Sequence, residues 1–271
     1  MSALDVVAWG IAGSVRDAGR PGRAWLGASR GGAVDLASLG LANRLVGNPP
    51  DAAAFESSGG LHIRVGARPV MVAVAGGVAD VAGDAAVGWG VPDVLPPGAE
   101  LRFGRVHEGT RVYLSVRGGL IATSEPGRFE VGADPTTPAA SHHAVRRPGP
   151  DRLLVWSGPR VDWFQPDSLA ALTGSPWTVT THSDRVGVRL SGPALRRLVT
   201  HELPSEGMVE GAVQVPPDGQ PIVMLADHPV TGGYPVIAVV DPADLGHLLQ
   251  SPPGSTLRFR LADPDSRLTS G

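Results

Sequence analysis

Short apolar runs closed by Gly or Pro recur along the whole chain: Leu61–Val65, Val70–Ala75, Val112–Val116, Leu153–Trp156, Trp177–Thr181, Ile222–Ala226, Val236–Val240 and Leu257–Leu261. Runs of this length with turn residues at both ends read as strands, and their number predicts a mainly antiparallel, β-rich fold. Three stretches carry helical spacing instead. Asp35 stands where an N-cap would, with Leu36, Leu39, Ala42 and Leu45 on one face and Gly47 and Pro49 as stops. Asp241-Pro242 opens a second helix, with Leu245, Leu248 and Leu249 inward and Pro252-Pro253 beyond its end. A shorter third is expected over Pro166–Leu172, ahead of Gly174.

The pattern repeats. PPGAELRF reaches Phe103 and PPGSTLRF reaches Phe259, an offset of 259 − 103 = 156, and both are read as strand ends. Arg44-Leu45-Val46 and Arg197-Leu198-Val199 match at 153, Glu56 and Glu210 at 154, and the strands from Val70 and Ile222 at 152. Segments keeping nearly one offset, in order, point to a duplicated β unit. The expected organisation is a first half over 1–123, a linker or mobile loop over 124–150, a second half over 151–262, and a frayed tail over 263–271. One place breaks the repeat. Gly19-Arg20 answers to Gly187 and Arg189 near an offset of 168–169, so the first half carries about fifteen extra residues before Leu36. That insertion, RAWLGASRGGAVD, is Gly-rich and holds Arg23, Arg30 and Asp35, which makes it a candidate site loop.

A second candidate is Gly207–Pro235, GMVEGAVQVPPDGQPIVMLADHPVTGGYP. It sets Glu210, Gln214, Asp218, Gln220, Asp227 and Tyr234 among Gly and Pro turns around one short apolar run, where backbone can approach a ligand closely.

Composition narrows the field. With 37 Gly and 26 Pro in 271 residues, long helices are not expected over most of the chain. The net charge of −3 gives no electrostatic footprint for nucleic acid. There is no run of 18–20 apolar residues, and the N-terminus lacks a basic region ahead of an apolar one, so neither membrane span nor signal peptide is read and a cytoplasmic location is expected. Cysteine is absent, which removes thiol nucleophiles and thiolate metal sites. The eight His are scattered without HxH or i, i+4 spacing, so no metal site is expected. GxxxxGK[ST] and GxGxxG are both missing.

The segments SVRDAGRPG (14–22), GASRGGAVDLASLGLANRLVGNPPDAAAFE (27–56), SDRVGVRLSGPAL (183–195), SEGMVEGAVQVPPDGQPIVMLADHPVTGGYP (205–235) and ADLGHLLQSPPGSTLRF (243–259) together resemble the family of 5-oxoprolinase C subunits, also known as biotin-dependent carboxyltransferase-like, KipA-like or allophanate hydrolase subunit 2-like. The resemblance spans roughly 10–120 and 150–260. It implies two related cyclophilin-like β-barrel halves, in keeping with the internal repeat. It implies two partners as well, a kinase-inhibitor-like protein that resembles the B subunit of that enzyme and a LamB/YcsF-type protein that serves as its A subunit. The assembly would hydrolyse 5-oxoproline to glutamate at the expense of ATP, shared with the partner subunits. Two departures stand out: Arg16 where the family usually has Gln, and RGGLIATSEPGRFEVG in place of an LGSRST-like segment.

A lactam amide resists water, and ATP activates it by phosphorylating the amide oxygen before water opens the ring. That chemistry asks for cations or amide donors for phosphate and oxyanion, plus a carboxylate to position water. Asp17, Arg20 and Asp227 are the expected catalytic groups; Asp35, Asp184, Arg185, Glu206, Gln214, Gln220 and Tyr234 are the expected substrate-binding ones. Each has a structural rival. Asp17 and Arg20 could pair within one turn, Asp35 could serve only as a helix cap, and Asp184-Arg185 could be a solvated turn. Gln214 and Gln220 flank the turn PPDG, and Tyr234 could be a packing aromatic. A carboxyltransferase module of a urea carboxylase-like enzyme would use the same inventory. The chain contains no lysine, so biotin would have to arrive on another protein. A third possibility is a non-catalytic antagonist of a kinase-inhibitor-like partner.

Overall fold

The computed structural model describes residues 2–84, 86–142 and 152–263. Strand dominates, and the chain divides into two compact units that are not contiguous in sequence. One comprises Met1–Gly19 with Asp35–Arg147, the other Arg20–Val34 with Pro148–Gly271. The segment that breaks the internal repeat therefore belongs with the second unit, although it lies in the first half of the sequence.

The first unit is a curled nine-stranded sheet. Its spine is a pair of long antiparallel strands, Val70–Gly83 and Glu100–Val116, which start in register at Val72↔Val116 and shift at successive bulges until Val81 faces Phe103. The expected strand end at Phe103 is thus corrected: Phe103 is an interior residue, 2% exposed. The polar middle GRVHEGTR (104–111) hides the continuation, because a strand solvated on both faces shows no alternation. Helix α1 (Leu36–Leu45) packs on the same pair, its N-cap Asp35 accepting from Ser38 N at 3.0 Å.

The segment read as a linker contains sheet. Arg128–Val131 pairs with the N-terminal strand Ala3–Ala8 through Leu4↔Phe129, and with Leu120–Ala122 on its other side. Only Phe129 and Val131 of this strand are apolar, and the flanking prolines obscured so short a period. Phe129 nonetheless meets Phe55 edge-on at 5.5 Å and Trp9 at 6.1 Å, closing one end of the core built on Leu4, Ile63, Val72, Leu101 and Leu114. Residues 143–150 of the expected linker and 264–271 of the expected tail lie outside the described residues.

The second unit is a closed seven-stranded barrel. Its strands run in the order Arg152–Ser157, Val236–Val240, Ala212–Gln214, Ile222–Met224, Gly187–Ser191, Trp177–Val179 and Thr256–Leu261. Parallel pairing of the last with the first, Leu153↔Phe259, closes it. Inward residues Leu153, Val155, Trp177, Leu190, Val213, Val223, Ile237 and Phe259 fill the interior. Burying an aliphatic or Phe side chain of this kind stabilises by ~1.5–3 kcal/mol. Val34, from the segment displaced in sequence, is 4% exposed within this same core. Helices α2 (Ser168–Gly174) and α3 (Pro242–Leu249) lie here, and Asp241 caps α3 by accepting from Ala243 N at 3.0 Å.

The repeat is legible in three of its four matches. Phe103 and Phe259 are equally buried strand residues, Val70 and Ile222 both open strands, and Glu56 and Glu210 both bind arginine, as described below. Arg44-Leu45-Val46 lies at the end of a helix, whereas Arg197-Leu198-Val199 lies in irregular chain.

Candidate functional site

Within the second unit, the strand Ile222–Met224 runs on to Ala226 and then Asp227, placing a carboxylate at the end of a buried run. Arg185 lies across from it on the turn before Gly187–Ser191, and its carbonyl accepts from Asp227 N at 3.1 Å. The guanidinium returns to the same residue: Arg185 Nε donates to Asp227 Oδ2 at 2.7 Å and Nη2 to Oδ1 at 3.4 Å. A second arginine clamp sits on the segment contributed from earlier in the chain. Arg30 Nε and Nη2 each donate to Glu210 at 2.8 Å, a parallel two-point pairing across 180 residues.

Both arginines also bind backbone. Arg30 Nη1 donates to Gly31 O and Ala33 O at 2.9 Å, and Arg185 Nη2 donates to Gly32 O. Gly31 N in turn donates to Ala226 O at 2.9 Å. Three successive carbonyls are thereby held by two guanidiniums. The chain accepts that path because Gly31 and Gly32 adopt φ of 61° and 69°, a left-handed conformation that side-chain-bearing residues rarely take. The cluster is partly shielded: the side chains of Arg30, Arg185, Glu210 and Asp227 are 13%, 18%, 20% and 35% exposed. Asp227 is the most open of the four.

Chemically, this is a neutral quartet of two cations and two carboxylates. Its guanidiniums are already engaged, so it fits the work of orienting a carboxylate and a glycine-rich backbone turn better than it fits the capture of a triphosphate. No group of three or more His, Cys, Asp or Glu that could hold a metal occurs among the described residues.

The remaining expected site residues are placed as follows. Asp184 Oδ1 accepts from Val186 N and Gly187 N at 2.8 and 3.0 Å, an Asx turn that sets the backbone next to Arg185. Gln220 exchanges both hydrogen bonds with the backbone of Gly192, at 2.9 and 3.2 Å. Gln214, 4% exposed, donates to Tyr234 O at 3.0 Å. Glu206 pairs with Arg160, through Nε at 3.0 Å and through Nη2. Tyr234 lies under the Arg197 guanidinium, 5.7 Å from ring centroid to Cζ. Burial pulls the pKa of Arg197 down, while Tyr234 and Asp218 pull it up. Arg20 is exposed on this unit and its backbone N–H donates to Arg30 O at 2.8 Å.

Asp17 and Asp35 belong to the first unit. Asp17 is exposed and accepts from Gly19 N at 2.8 Å. Asp35 is 2% exposed and caps α1. Its N–H donates at 2.9 Å to the hydroxyl of Tyr113, which donates at 2.8 Å to Glu56, itself 1% exposed with Arg111 Nε 3.8 Å away. Burial, reinforced by the charges of Glu56 and Asp35, raises the Tyr113 pKa well above its ordinary value, so the hydroxyl remains a donor.

Of the ten expected residues, two pairs are brought together directly: Arg185 with Asp227 through their side chains, and Gln214 with the backbone carbonyl of Tyr234. Arg30 and Glu210 stood in the two segments singled out by composition, but nothing local signalled their pairing. The separation of 180 residues leaves no periodic trace.

A closed barrel and a curled sheet, with glutamates at matching places in the internal repeat, define a duplicated β protein. The chain belongs to the family described as carboxyltransferase domain, subdomain A and B, whose model matches residues 26–127 and 123–261. It is 32% identical to the C subunit of 5-oxoprolinase from Escherichia coli (strain K12), over 94% of this chain and 90% of that protein. It is 27% identical to urea amidolyase of Lachancea kluyveri, over 95% of this chain but 17% of the relative. Among solved structures, TTHA0988 superposes with a TM-score of 0.84 at 34% identity, over 96% of this chain. The chain spans about half of that one, 55%. The K. lactis urea amidolyase superposes at 0.83 with 26% identity, and this chain covers 19% of it. No helix among the described residues is long and apolar enough to cross a membrane.

Proposed function

We propose that this chain is the C subunit of an ATP-dependent 5-oxoprolinase, working with a kinase-inhibitor-like protein in the place of the B subunit, and a LamB/YcsF-type protein in that of the A subunit. The observation that carries this reading is the near end-to-end likeness to the C subunit of 5-oxoprolinase, 94% of one chain on 90% of the other. In this reading Asp227 is the carboxylate that orients water or takes its proton, Arg185 fixes the carboxylate's direction, and Arg30–Glu210 fixes the Gly31-Gly32 turn beside it. Arg20, exposed with no side-chain partner among the described residues, is a cation available to a developing oxyanion. The nucleotide is held by the partners, since both clamped guanidiniums are committed to carboxylates and carbonyls of this chain.

A second reading is favoured by the urea amidolyase likeness: a carboxyltransferase module that receives a carboxyl group from biotin on a separate carrier. The discriminating measurement is glutamate release from 5-oxoproline with ATP, using this chain and its two companions and omitting each in turn. Release that requires all three supports the first reading. A stable complex without release, together with transfer of carboxyl from carboxybiotin to urea, moves the assignment to the second.

A further inference from the structure

The turn that presents Asp227 also carries a histidine. His228 N donates to Leu225 O at 2.9 Å, closing a turn over 225–228 that puts Asp227 and His228 on consecutive positions. Consecutive Cα atoms stand about 3.8 Å apart, so the imidazole and the carboxylate belong to one place on the barrel. The two are held differently. Asp227 is partly open and accepts from Arg185 through both oxygens. His228 is only 7% exposed, and its Nδ1 lies 2.7 Å from Pro229 O. A carbonyl has no proton to give, so Nδ1 carries the hydrogen and the neutral ring keeps its lone pair on Nε2. Nε2 has no hydrogen-bond partner among the described residues, yet it is not sealed from solvent.

A histidine kept only to tie the turn needs Nδ1 alone, and asparagine would do that work. An enclosed, unpaired ring nitrogen costs free energy in the folded chain unless a ligand completes it. There is room for one beside the carboxylate: a Cβ built on Gly31 meets a single atom within 4 Å, Asp227 Oδ1 at 3.9 Å. The proposed reaction has a use for such a nitrogen. Water added to an O-phosphorylated lactam gives a tetrahedral carbon with two possible leaving groups, phosphate and the ring nitrogen. Phosphate leaves more readily, and its loss restores the lactam with ATP consumed for nothing. Ring opening wins only when the nitrogen is protonated as its bond to carbon breaks.

We propose that His228 is the proton carrier of this site, and that it decides whether ATP consumption is coupled to ring opening. The proposal rests on the 5-oxoprolinase reading above and assigns Asp227 to aligning the water. O-phosphorylation leaves the ring carbon doubly bonded to a nitrogen that still bears its hydrogen and a positive charge. The water oxygen bonds to that carbon, the C=N π pair moves onto nitrogen, and one water proton passes to Nε2. The imidazolium then returns that proton to nitrogen as the C–N bond breaks, its electron pair going to nitrogen. The remaining hydroxyl proton goes to solvent as the carbonyl forms. What is left is a free amine and an acyl phosphate, which a second water hydrolyses to glutamate and phosphate.

The test measures ADP and glutamate together in the three-component assembly, with the wild-type chain, His228→Asn and His228→Gln. The amide of His228→Asn can still donate to Pro229 O, and neither variant can carry a proton. Glutamate release falls about a hundredfold or more while ADP release persists, so the ratio of ADP to glutamate rises about tenfold or more. Equal losses of both products, or wild-type rates in His228→Asn, overturn the assignment and leave the proposed function standing. If neither variant folds, as read by melting temperature, the ring is structural and the assignment falls. A wild-type assembly that makes no glutamate overturns the 5-oxoprolinase reading and the proton carrier with it.

Discussion

The two units put a glutamate at the same place in the internal repeat and use it in different ways. In the curled sheet Glu56 is 1% exposed and closed in by the Tyr113 hydroxyl and Arg111, so it serves the interior alone. In the barrel Glu210 keeps 20% of its side chain accessible and grips Arg30 from a distant part of the chain. A fully buried carboxylate is tolerated only where every acceptor is satisfied, and such a network specifies one packing. A partly open pair costs less to make and leaves neighbouring groups within reach of solvent and substrate. One copy of the repeat has become framework, and the other has become the support of a candidate site.

The largest expected effect breaks the barrel side of that comparison. Asp227→Asn leaves the turn hydrogen bond from residue 227 N to Arg185 O in place but removes the charge that aims Arg185. Turnover of the assembled enzyme falls about a hundredfold or more, as expected when a reacting group is misplaced by roughly 1 Å. Stability changes by at most ~1 kcal/mol, because the pair is partly solvated. Glutamate release and urea unfolding, measured on the same variant, decide it. Unchanged turnover takes Asp227 out of the site, and a lost fold makes its role structural.

Tyr113→Phe tests the other side. It removes the donor to Glu56 and the acceptor for Asp35 N together, two buried hydrogen bonds that tie the strand Ala54–Ser57 to the start of α1. The expected cost is about 2 kcal/mol, read as a lower urea midpoint with the slope unchanged. Because the folded hydroxyl resists ionisation, the wild type also loses stability as pH rises through ~10, where the unfolded tyrosine ionises, and the variant lacks that loss. A change under ~0.5 kcal/mol would mean that water satisfies Glu56 and that the interior network is dispensable.

These two residues show why the sequence was readable in parts. Helices α1 and α3 were legible because Asp35 and Asp241 cap them by local hydrogen bonds, and local chemistry leaves a local signature. The mainly β character followed from Gly- and Pro-bounded apolar runs. The long strand Glu100–Val116 was read as two pieces because its middle is polar, and Arg128–Val131 was lost among prolines because its partner is the N-terminal strand. Asp227 was legible as a carboxylate at the end of a buried run, and Arg185 as a turn residue. Their pairing, and that of Arg30 with Glu210, is a product of barrel closure, which no window of sequence contains.

The smallest effect sharpens the comparison by confining a perturbation to the curled sheet. Glu100 lies on its surface, and Arg64 Nε and Nη2 at 3.0 and 2.7 Å, Arg102 Nη2 at 2.5 Å and His62 Nε2 at 3.0 Å all converge on its carboxylate. Hydrogen bonds from Arg64, then Arg102, then His62 hold its pKa down at about 2, against 4.5 ordinarily. A carboxyl with a depressed folded pKa contributes stability that is fully present above its unfolded pKa and is lost as pH falls from ~4.5 through ~2. Glu100→Gln removes that contribution, so the variant's stability declines less steeply across this acid window, while above pH 5 it is slightly less stable than wild type. Amide exchange between pH 5 and 3 resolves the location. Protection along Val70–Gly83 should differ between the two proteins, whereas Ala212–Met224 in the barrel should match. Equal slopes for both proteins would show that the four side chains are too well solvated to couple folding to the proton.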